Sequence, residues 1–153
     1  MKKLFLSFLL AAFLSLSMVS TASASWIWAG SDDKVGIFFK PESIEFEHKG
    51  TLINGDVVYV WWYMLYDDAY AQSHPFMGRT LKKVVTYDKL NLEKVMSKSL
   101  DIIAYDENGD VIYQGSDETV RRIIPGSHHE VLFNAVEKYV HEHFEEVSDR
   151  TVK

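Results

Sequence analysis

Residues 57–66 constrain the fold more than any other part of this chain. They are all apolar or aromatic and read Val-Val-Tyr-Val-Trp-Trp-Tyr-Met-Leu-Tyr. In an extended strand successive side chains point to opposite faces. One face then carries Val58, Val60, Trp62, Met64 and Tyr66, and the other carries Val57, Tyr59, Trp61, Tyr63 and Leu65. A strand that is apolar on both faces belongs in the middle of a sheet. We therefore expect a covering layer on one face, and either a second cover or a binding role for the other.

The first 24 residues have the three parts of a secretory signal peptide. Lys2 and Lys3 form a basic start, residues 4–18 are an apolar run, and Ala22-Ser23-Ala24 supplies small residues for cleavage. An uncleaved anchor is the alternative, but a helix needs ~20 residues to cross a bilayer. We expect cleavage after Ala24 and export of residues 25–153 to the periplasm, the cell surface or the extracellular space. No later segment has spanning length, so no membrane span is expected after cleavage.

Composition excludes several classes of site. The chain has 153 residues and no cysteine, which rules out disulfides, thiolate metal sites and cysteine nucleophiles. Lysine and arginine number 16 and aspartate and glutamate 22, giving a formal net charge of −6. Loss of the two signal-peptide lysines makes the mature charge −8. Because nucleic-acid binding needs a clustered basic surface, a nucleic-acid partner is not expected.

Alternation and turn residues predict a series of short strands in the rest of the chain. The expected strands are residues 35–39, 43–47, 57–66, 80–87, 98–105 and 111–113. Turns are expected at Lys49-Gly50 and at Asn54-Gly55, the second being the preferred hairpin dipeptide. Residues 29–34 are expected to form a polar turn, and residues 67–78 and 115–119 are expected to be loops.

A single amphipathic helix is predicted after Pro125-Gly126. Ser127 and Glu130 form a capping box, which places the start of the helix at Ser127. Helical spacing puts seven apolar residues on one face: Val131, Leu132, Ala135, Val136, Tyr139, Val140 and Phe144. Residues 145–153 are expected to fray. The fold class is therefore α+β, a small mainly antiparallel β-sheet with a C-terminal amphipathic helix packed on one face. Residues 25–153 form one domain, with a core at about residues 31–144.

Two groups of polar residues resemble metal sites but do not match them. Asp106, Asn108 and Asp110 fit the first ligands of an EF-hand loop, but Val111 replaces its glycine and Asp117 its glutamate. A hairpin turn explains the same residues. The histidines occur as His128-His129-Glu130 and His141-Glu142-His143, at opposite ends of the helix and too far apart for one ion. We interpret them as solvated and expect no metal site.

No catalytic or cofactor motif is present. The chain has no Gly-x-Ser-x-Gly elbow, phosphate loop or dinucleotide fingerprint. Asp32-Asp33 and Asp67-Asp68 are adjacent acids, which in loops are usually solvated turn residues. We therefore predict no enzyme activity, no catalytic residue and no cofactor.

The aromatic residues are the remaining candidates for function. Tyr59, Trp61, Trp62 and Tyr63 are predicted as a partner-binding surface, because tryptophan and tyrosine dominate interface hot spots. The alternative is that they fill the core, since aromatic side chains dominate core energetics as well. The sequence leaves both interpretations open.

Self-association is a second open question. A two-fold dimer through the aromatic face would hide excess apolar surface. In the alternative monomer, Trp26, Trp28 and the 67–78 loop would close that face. Sheet edges expose unpaired backbone groups. Four lysines are expected on or near a candidate edge, where they would block uncontrolled pairing: Lys82, Lys83, Lys89 and Lys94.

Several segments, taken in order, resemble the surface-adhesin protein E-like domain of exported bacterial proteins. They are Ile37-Phe38-Phe39-Lys40-Pro41-Glu42-Ser43-Ile44, the Val-x-Val-Trp of residues 58–61, Arg79-Thr80-Leu81-Lys82-Lys83-Val84-Val85-Thr86-Tyr87-Asp88, Tyr105-Asp106-Glu107-Asn108-Gly109-Asp110-Val111-Ile112 and Ile123-Ile124-Pro125-Gly126-Ser127. The resemblance covers about residues 35–140. Two features depart from the family. Its two cysteines are absent, one of them replaced by Lys89, and Val120-Arg121-Arg122 stands where many members have a tryptophan.

This resemblance implies a small antiparallel sheet with a C-terminal helix. It also implies a role like that of the namesake adhesin, which binds host matrix and serum proteins and can dimerise. We therefore expect an exported non-catalytic protein-binding domain, a bacterial surface adhesin with a host matrix or envelope protein as partner. The alternative is a periplasmic or cell-envelope structural or assembly factor.

The mature protein is predicted to begin at Ser25, because the small residues of the cleavage site end at Ala24. Intact-mass spectrometry of protein isolated from its native envelope should give the mass of residues 25–153. A mass that includes residues 1–24 would instead indicate an anchored protein.

Overall fold

The computed structural model of the chain describes residues 25–151. The predicted signal peptide lies outside them. The strands are β1 (Ile27–Ser31), β2 (Val35–Phe39), β3 (Glu45–Lys49), β4 (Leu52–Tyr66), β5 (Leu81–Asn91), β6 (Met96–Asp106) and β7 (Val111–Arg122). The helices are α1 (Asp68–Ser73), α2 (His128–Glu142) and α3 (Phe144–Thr151), and a 3-10 turn covers Pro41–Ser43.

The strands form one antiparallel seven-stranded sheet in the order β1-β2-β4-β5-β6-β7. β4 lies in its middle. β2 pairs with the second half of β4, β3 pairs with the first half, and β5 runs along the other side. The predicted α+β class and the central position of residues 57–66 are confirmed.

β4 begins earlier than predicted, and the expected turn at Asn54-Gly55 is wrong. The hairpin turns at Gly50, whose φ of 67° is in the left-handed region that favours glycine. Asn54 lies inside the strand opposite Glu47, and its side-chain amide donates to Glu47 Oε2 at 2.9 Å. The earlier glycine therefore makes the turn, and a cross-strand hydrogen bond holds Asn54 in the sheet.

Three further segments are more regular than expected. Residues 115–119 belong to β7 and pair with β6, although the register shifts along that pair. The expected loop at 67–78 contains α1, which Asp67 caps by accepting from the backbone N–H groups of Ala69 and Tyr70. The expected polar turn at 29–34 is replaced in its first part by β1, which pairs with β2.

The C-terminal segment does not fray up to residue 151. It forms α3, which packs beside β3, and Val147 is fully buried there. The hydroxyl of Thr151 accepts from the backbone N–H of Phe46 at 3.0 Å and donates to the Val147 carbonyl at 2.8 Å. The packed structure therefore extends past residue 144, because this contact to β3 holds the end of the chain.

The core lies between α2 and one face of the sheet. Val58, Val60 and Trp62 of β4 are buried with Leu132 and other apolar residues of α2. Ser127 caps α2 as predicted, since its hydroxyl accepts from the Glu130 backbone N–H at 3.2 Å. None of the helices within residues 25–151 combines the length and apolar character that crossing a bilayer requires.

Gly30 allows β1 to approach α2 closely. A Cβ atom at this position would lie 2.6 Å from Cγ1 of Val131, which is closer than real Cβ contacts. The absence of a side chain at Gly30 therefore lets the first strand of the sheet pack against the helix.

Leu132→Ala should lower the free energy of unfolding by about 2–4 kcal/mol, because it leaves a cavity under α2. Urea unfolding of residues 25–153 would measure this. Lys138→Ala on the exposed side of α2 is the control and should change stability by less than ~0.5 kcal/mol. Equal losses in the two variants would contradict the packing of α2 on the sheet.

Candidate functional site

The four predicted aromatic residues lie on two different faces of the sheet. Tyr59, Trp61 and Tyr63 alternate with core residues along β4 and are partly exposed on the face opposite α2. Trp62 points to the core, is only 1% exposed, and its Nε1 donates to Asp88 Oδ2 at 2.9 Å. Trp62 is therefore a structural residue and lies outside the candidate surface.

The sheet register brings further aromatic side chains to the same face. Phe38 pairs with Tyr63, Tyr87 with Trp61, and Tyr105 lies across β5 from Leu65 through Lys83. Trp26 precedes β1 and places its ring against Tyr63. We call this surface the open face and define it by seven residues: Trp26, Phe38, Tyr59, Trp61, Tyr63, Tyr87 and Tyr105.

The rings of the open face support one another. The Phe38 and Tyr63 rings stack with centroids 4.8 Å apart, and Trp61 stacks on Tyr87 at 4.9 Å. Trp26 meets Tyr63 edge-on at 4.7 Å. Partial burial raises the pKa of the Tyr63 and Tyr87 hydroxyls above their ordinary value, so both remain neutral at physiological pH. The result is a neutral aromatic surface whose rings hold each other in place.

Only part of the expected cover reaches this face. Trp26 does so, but Trp28 is 60% exposed and lines a cleft of about 690 Å³ between β1 and α2. Within the 67–78 segment, Tyr70 stacks on Tyr66 at the end of β4. Tyr66 lies on the same face of β4 as Trp62, so this contact does not cover the open face. The two long side chains at the rim of the cleft, Lys138 and Glu142, pair with each other at 3.9 Å.

Two lysines stand over the tyrosine rings of the open face. Lys89 Nζ lies 5.6 Å from the Tyr59 centroid and also pairs with Glu47. This contact lowers the pKa of the Glu47 carboxyl and raises that of Lys89. Lys83 Nζ lies 4.8 Å from the Tyr105 centroid and 5.9 Å from that of Tyr63. It has no carboxylate at ion-pair distance within residues 25–151.

The lysines expected near a sheet edge are not on one. Lys82, Lys83 and Lys89 belong to β5, which is paired on both sides, and Lys94 lies in the turn that follows. The ends of the strand order are β1 and β7. The predicted strand 80–87 contains Lys82 and Lys83, but the sequence pattern could not give the position of that strand in the sheet.

The N-terminal histidines of α2 are paired rather than simply solvated. His128 Nε2 lies 2.9 Å from Asp32 Oδ2, and His129 Nε2 lies 3.2 Å from Asp88 Oδ2. Asp88 is fully buried, and its Oδ1 has no hydrogen-bond partner within residues 25–151. The two pairs attach the start of α2 to the β1–β2 turn and to β5.

Among residues 25–151, no nucleophile joins the Asp88–His129 pair to form a catalytic triad. A triad needs a nucleophile within hydrogen-bond reach of the histidine. None of the hydrogen bonds within residues 25–151 joins a hydroxyl to His129. The Asp88 carboxylate also accepts a hydrogen bond from the buried indole N–H of Trp62, so its contacts hold elements of the core together.

The acidic turn between β6 and β7 is stabilised by the carboxylate of one of its own residues. Asp106 is buried, and its Oδ1 accepts from the backbone N–H groups of Asn108 and Asp110 at 3.0 and 2.9 Å. Arg79 pairs with the same carboxylate. The predicted hairpin turn is confirmed, and no group of three acidic or histidine side chains within residues 25–151 is placed to hold a metal ion.

Among solved structures, the chain is similar to protein E from non-typeable Haemophilus influenzae. The two are 17% identical, and the TM-score is 0.48 over 85% of this chain and 84% of the other. No family model matches the chain, and no curated protein does so. Membership of the protein E-like family therefore stays a prediction.

Asp32 should make stability depend on acid pH. Its hydrogen bond with His128, with a further contribution from the Lys34 backbone N–H, lowers its pKa from 3.8 to about 2. A carboxyl with a depressed folded pKa contributes stability above its unfolded pKa, and this contribution is lost as the pH falls through the folded value. Urea midpoints should therefore fall between about pH 4 and pH 2.

Asp32→Asn tests this assignment. The variant should be less stable than the parent at about pH 5, and the difference should shrink towards about pH 2, where the parent carboxyl is protonated. A difference that stays constant over this range would contradict it.

Proposed function

We propose that the chain is an exported, non-catalytic protein-binding domain that binds its partner through the open face, and that it acts as a bacterial surface adhesin. The observation that supports this is the group of partly exposed aromatic rings on the face opposite α2. Tryptophan and tyrosine are the side chains that contribute most at protein interfaces. Trp61 and Tyr63 lie near the middle of this surface, where such residues contribute most.

The stacking of the rings favours binding. Side chains that are already held in one conformation lose little entropy when a partner covers them. Trp61 on Tyr87 and Phe38 on Tyr63 are such pairs. A rigid aromatic surface on a sheet therefore offers apolar area to a partner with little loss of side-chain entropy.

The absence of catalysis is part of the proposal. The buried carboxylates of Asp88 and Asp106 are used within the fold, by Trp62 and His129 and by a hairpin turn. The aromatic rings of the open face and the single ammonium group of Lys83, unpaired within residues 25–151, suit a protein surface as its occupant. We assign a host matrix or serum protein as this occupant, in line with the expected export.

Trp61→Ser and Tyr63→Ser test the proposal. Immobilised extracellular-matrix and serum proteins would be exposed to residues 25–153, and binding measured by surface plasmon resonance. Each variant should weaken saturable binding by at least about tenfold, the size of an interface hot spot. Ile124→Ser is the matched control, since Ile124 is an exposed apolar residue away from the open face.

Circular dichroism would show that each variant is folded before binding is compared. Equal binding by all three variants would contradict the open face as the binding surface. Binding to purified envelope proteins with no matrix protein bound would favour the alternative, an envelope structural or assembly factor. A stable dimer of the parent that becomes a monomer in Trp61→Ser would identify a second copy of the chain as the occupant.

A further inference from the structure

We infer that Lys83 and the two tyrosine rings beside it recognise a carboxylate of the partner protein, next to an apolar side chain. This inference rests on the proposed function, because it names the partner chemistry that the open face selects. The site consists of Lys83, Tyr63, Tyr105, Phe38 and Leu65.

The sheet register builds this site from four strands. Lys83 of β5 lies opposite Leu65 of β4 and opposite Tyr105 of β6. Tyr63 is two residues from Leu65 on the same face, and Phe38 of β2 stacks on it. The ammonium group lies over both tyrosine rings, 4.8 Å from the Tyr105 centroid and 5.9 Å from that of Tyr63.

Lys83 differs from the other lysines of its strand. Lys82 pairs with Asp68, and Lys89 pairs with Glu47. Lys83 has no such carboxylate within residues 25–151, although acidic residues outnumber basic ones in the chain, 22 to 16. The rings attract the ammonium group by cation–π contact but carry no negative charge that would neutralise it. A positive charge is therefore held on an aromatic surface without a counter-ion.

The surroundings of Lys83 define the rest of the ligand. Leu65 is 37% exposed beside it, and the Phe38–Tyr63 stack continues the apolar surface. Gly36 lies opposite Leu65, and a Cβ atom there would come within 3.0 Å of the Phe38 ring. The missing side chain at Gly36 thus leaves room for that ring. Charge and shape together fit an acidic residue that is followed or preceded by an apolar one.

A protein carboxylate fits this site better than a nucleic-acid phosphate. Binding to a phosphate backbone uses several cations in a row. The other cation over a tyrosine of the open face, Lys89, is neutralised by Glu47. A single free ammonium group among rings suits a single carboxylate.

The test is an NMR titration of isotope-labelled residues 25–153 with short synthetic peptides that alternate glutamate and phenylalanine. The glutamate peptide should shift the amide signals of Lys83, Tyr63 and Tyr105. A peptide with glutamine in place of glutamate should bind about three- to tenfold more weakly, as expected for the loss of one ion pair. Lys83→Gln should reduce binding of the glutamate peptide to the level of the glutamine peptide.

Lys94→Gln is the matched control. Lys94 is exposed in the turn after β5 and, like Lys83, has no carboxylate at ion-pair distance among residues 25–151, so the variant makes the same change of net charge away from the site. It should leave the affinity for the glutamate peptide unchanged. The amide spectrum of each variant shows directly whether it is folded.

Four outcomes would overturn the inference. They are equal weakening by Lys83→Gln and Lys94→Gln, equal binding of the glutamate and glutamine peptides, no shift at millimolar peptide, and Lys83-dependent binding of a single-stranded oligonucleotide. The inference can also fail while the proposed function holds. If Trp61→Ser abolishes matrix-protein binding while Lys83→Gln leaves it intact, the open face still binds protein but not through a carboxylate.

Discussion

The alternation of side chains along β4 is the constraint on which the rest of the structure depends. This strand is apolar on both faces and pairs with three other strands, so its two-residue period sorts the neighbouring residues into two layers. Trp62 enters the layer under α2, and Trp61, its neighbour in the chain, enters the other. The core and the candidate binding surface are therefore two sides of one strand.

Short sequence patterns correctly predicted the elements that depend on residues close together in the chain. The Ser127 cap with Glu130 placed the start of α2, and the unbroken apolar run of residues 57–66 gave a central strand. The period of β4 also separated Trp61 from Trp62. It could not show which of them the helix covers, because both faces of the run are equally apolar. Phe38, Tyr87 and Tyr105 were missed because only the pairing of strands brings them beside Tyr63.

The wrong predictions concern segments whose structure is determined by contacts with residues far away in the sequence. Asn54-Gly55 has the composition of a turn, but pairing with β3 keeps Asn54 in the strand. The polar C-terminal segment has few apolar residues, but Val147 is buried and Thr151 bonds to Phe46, which is far away in sequence. The same limit applies to Lys83, whose missing counter-ion becomes visible only when the neighbours of β5 are known.

The separation of tryptophans gives this protein two independent optical reporters. Trp62 lies in the core with its indole N–H on Asp88 and the His129 ring 5.0 Å away, so its emission follows the integrity of the fold. Trp61 and Trp26 lie on the open face, where a bound partner would change their access to water. A quencher dissolved in the solvent reaches Trp26 and Trp61, and also the exposed Trp28 beside α2, but not Trp62. Once Trp28 is replaced by phenylalanine, fluorescence can therefore distinguish occupation of the surface from loss of the fold in one sample, without any label.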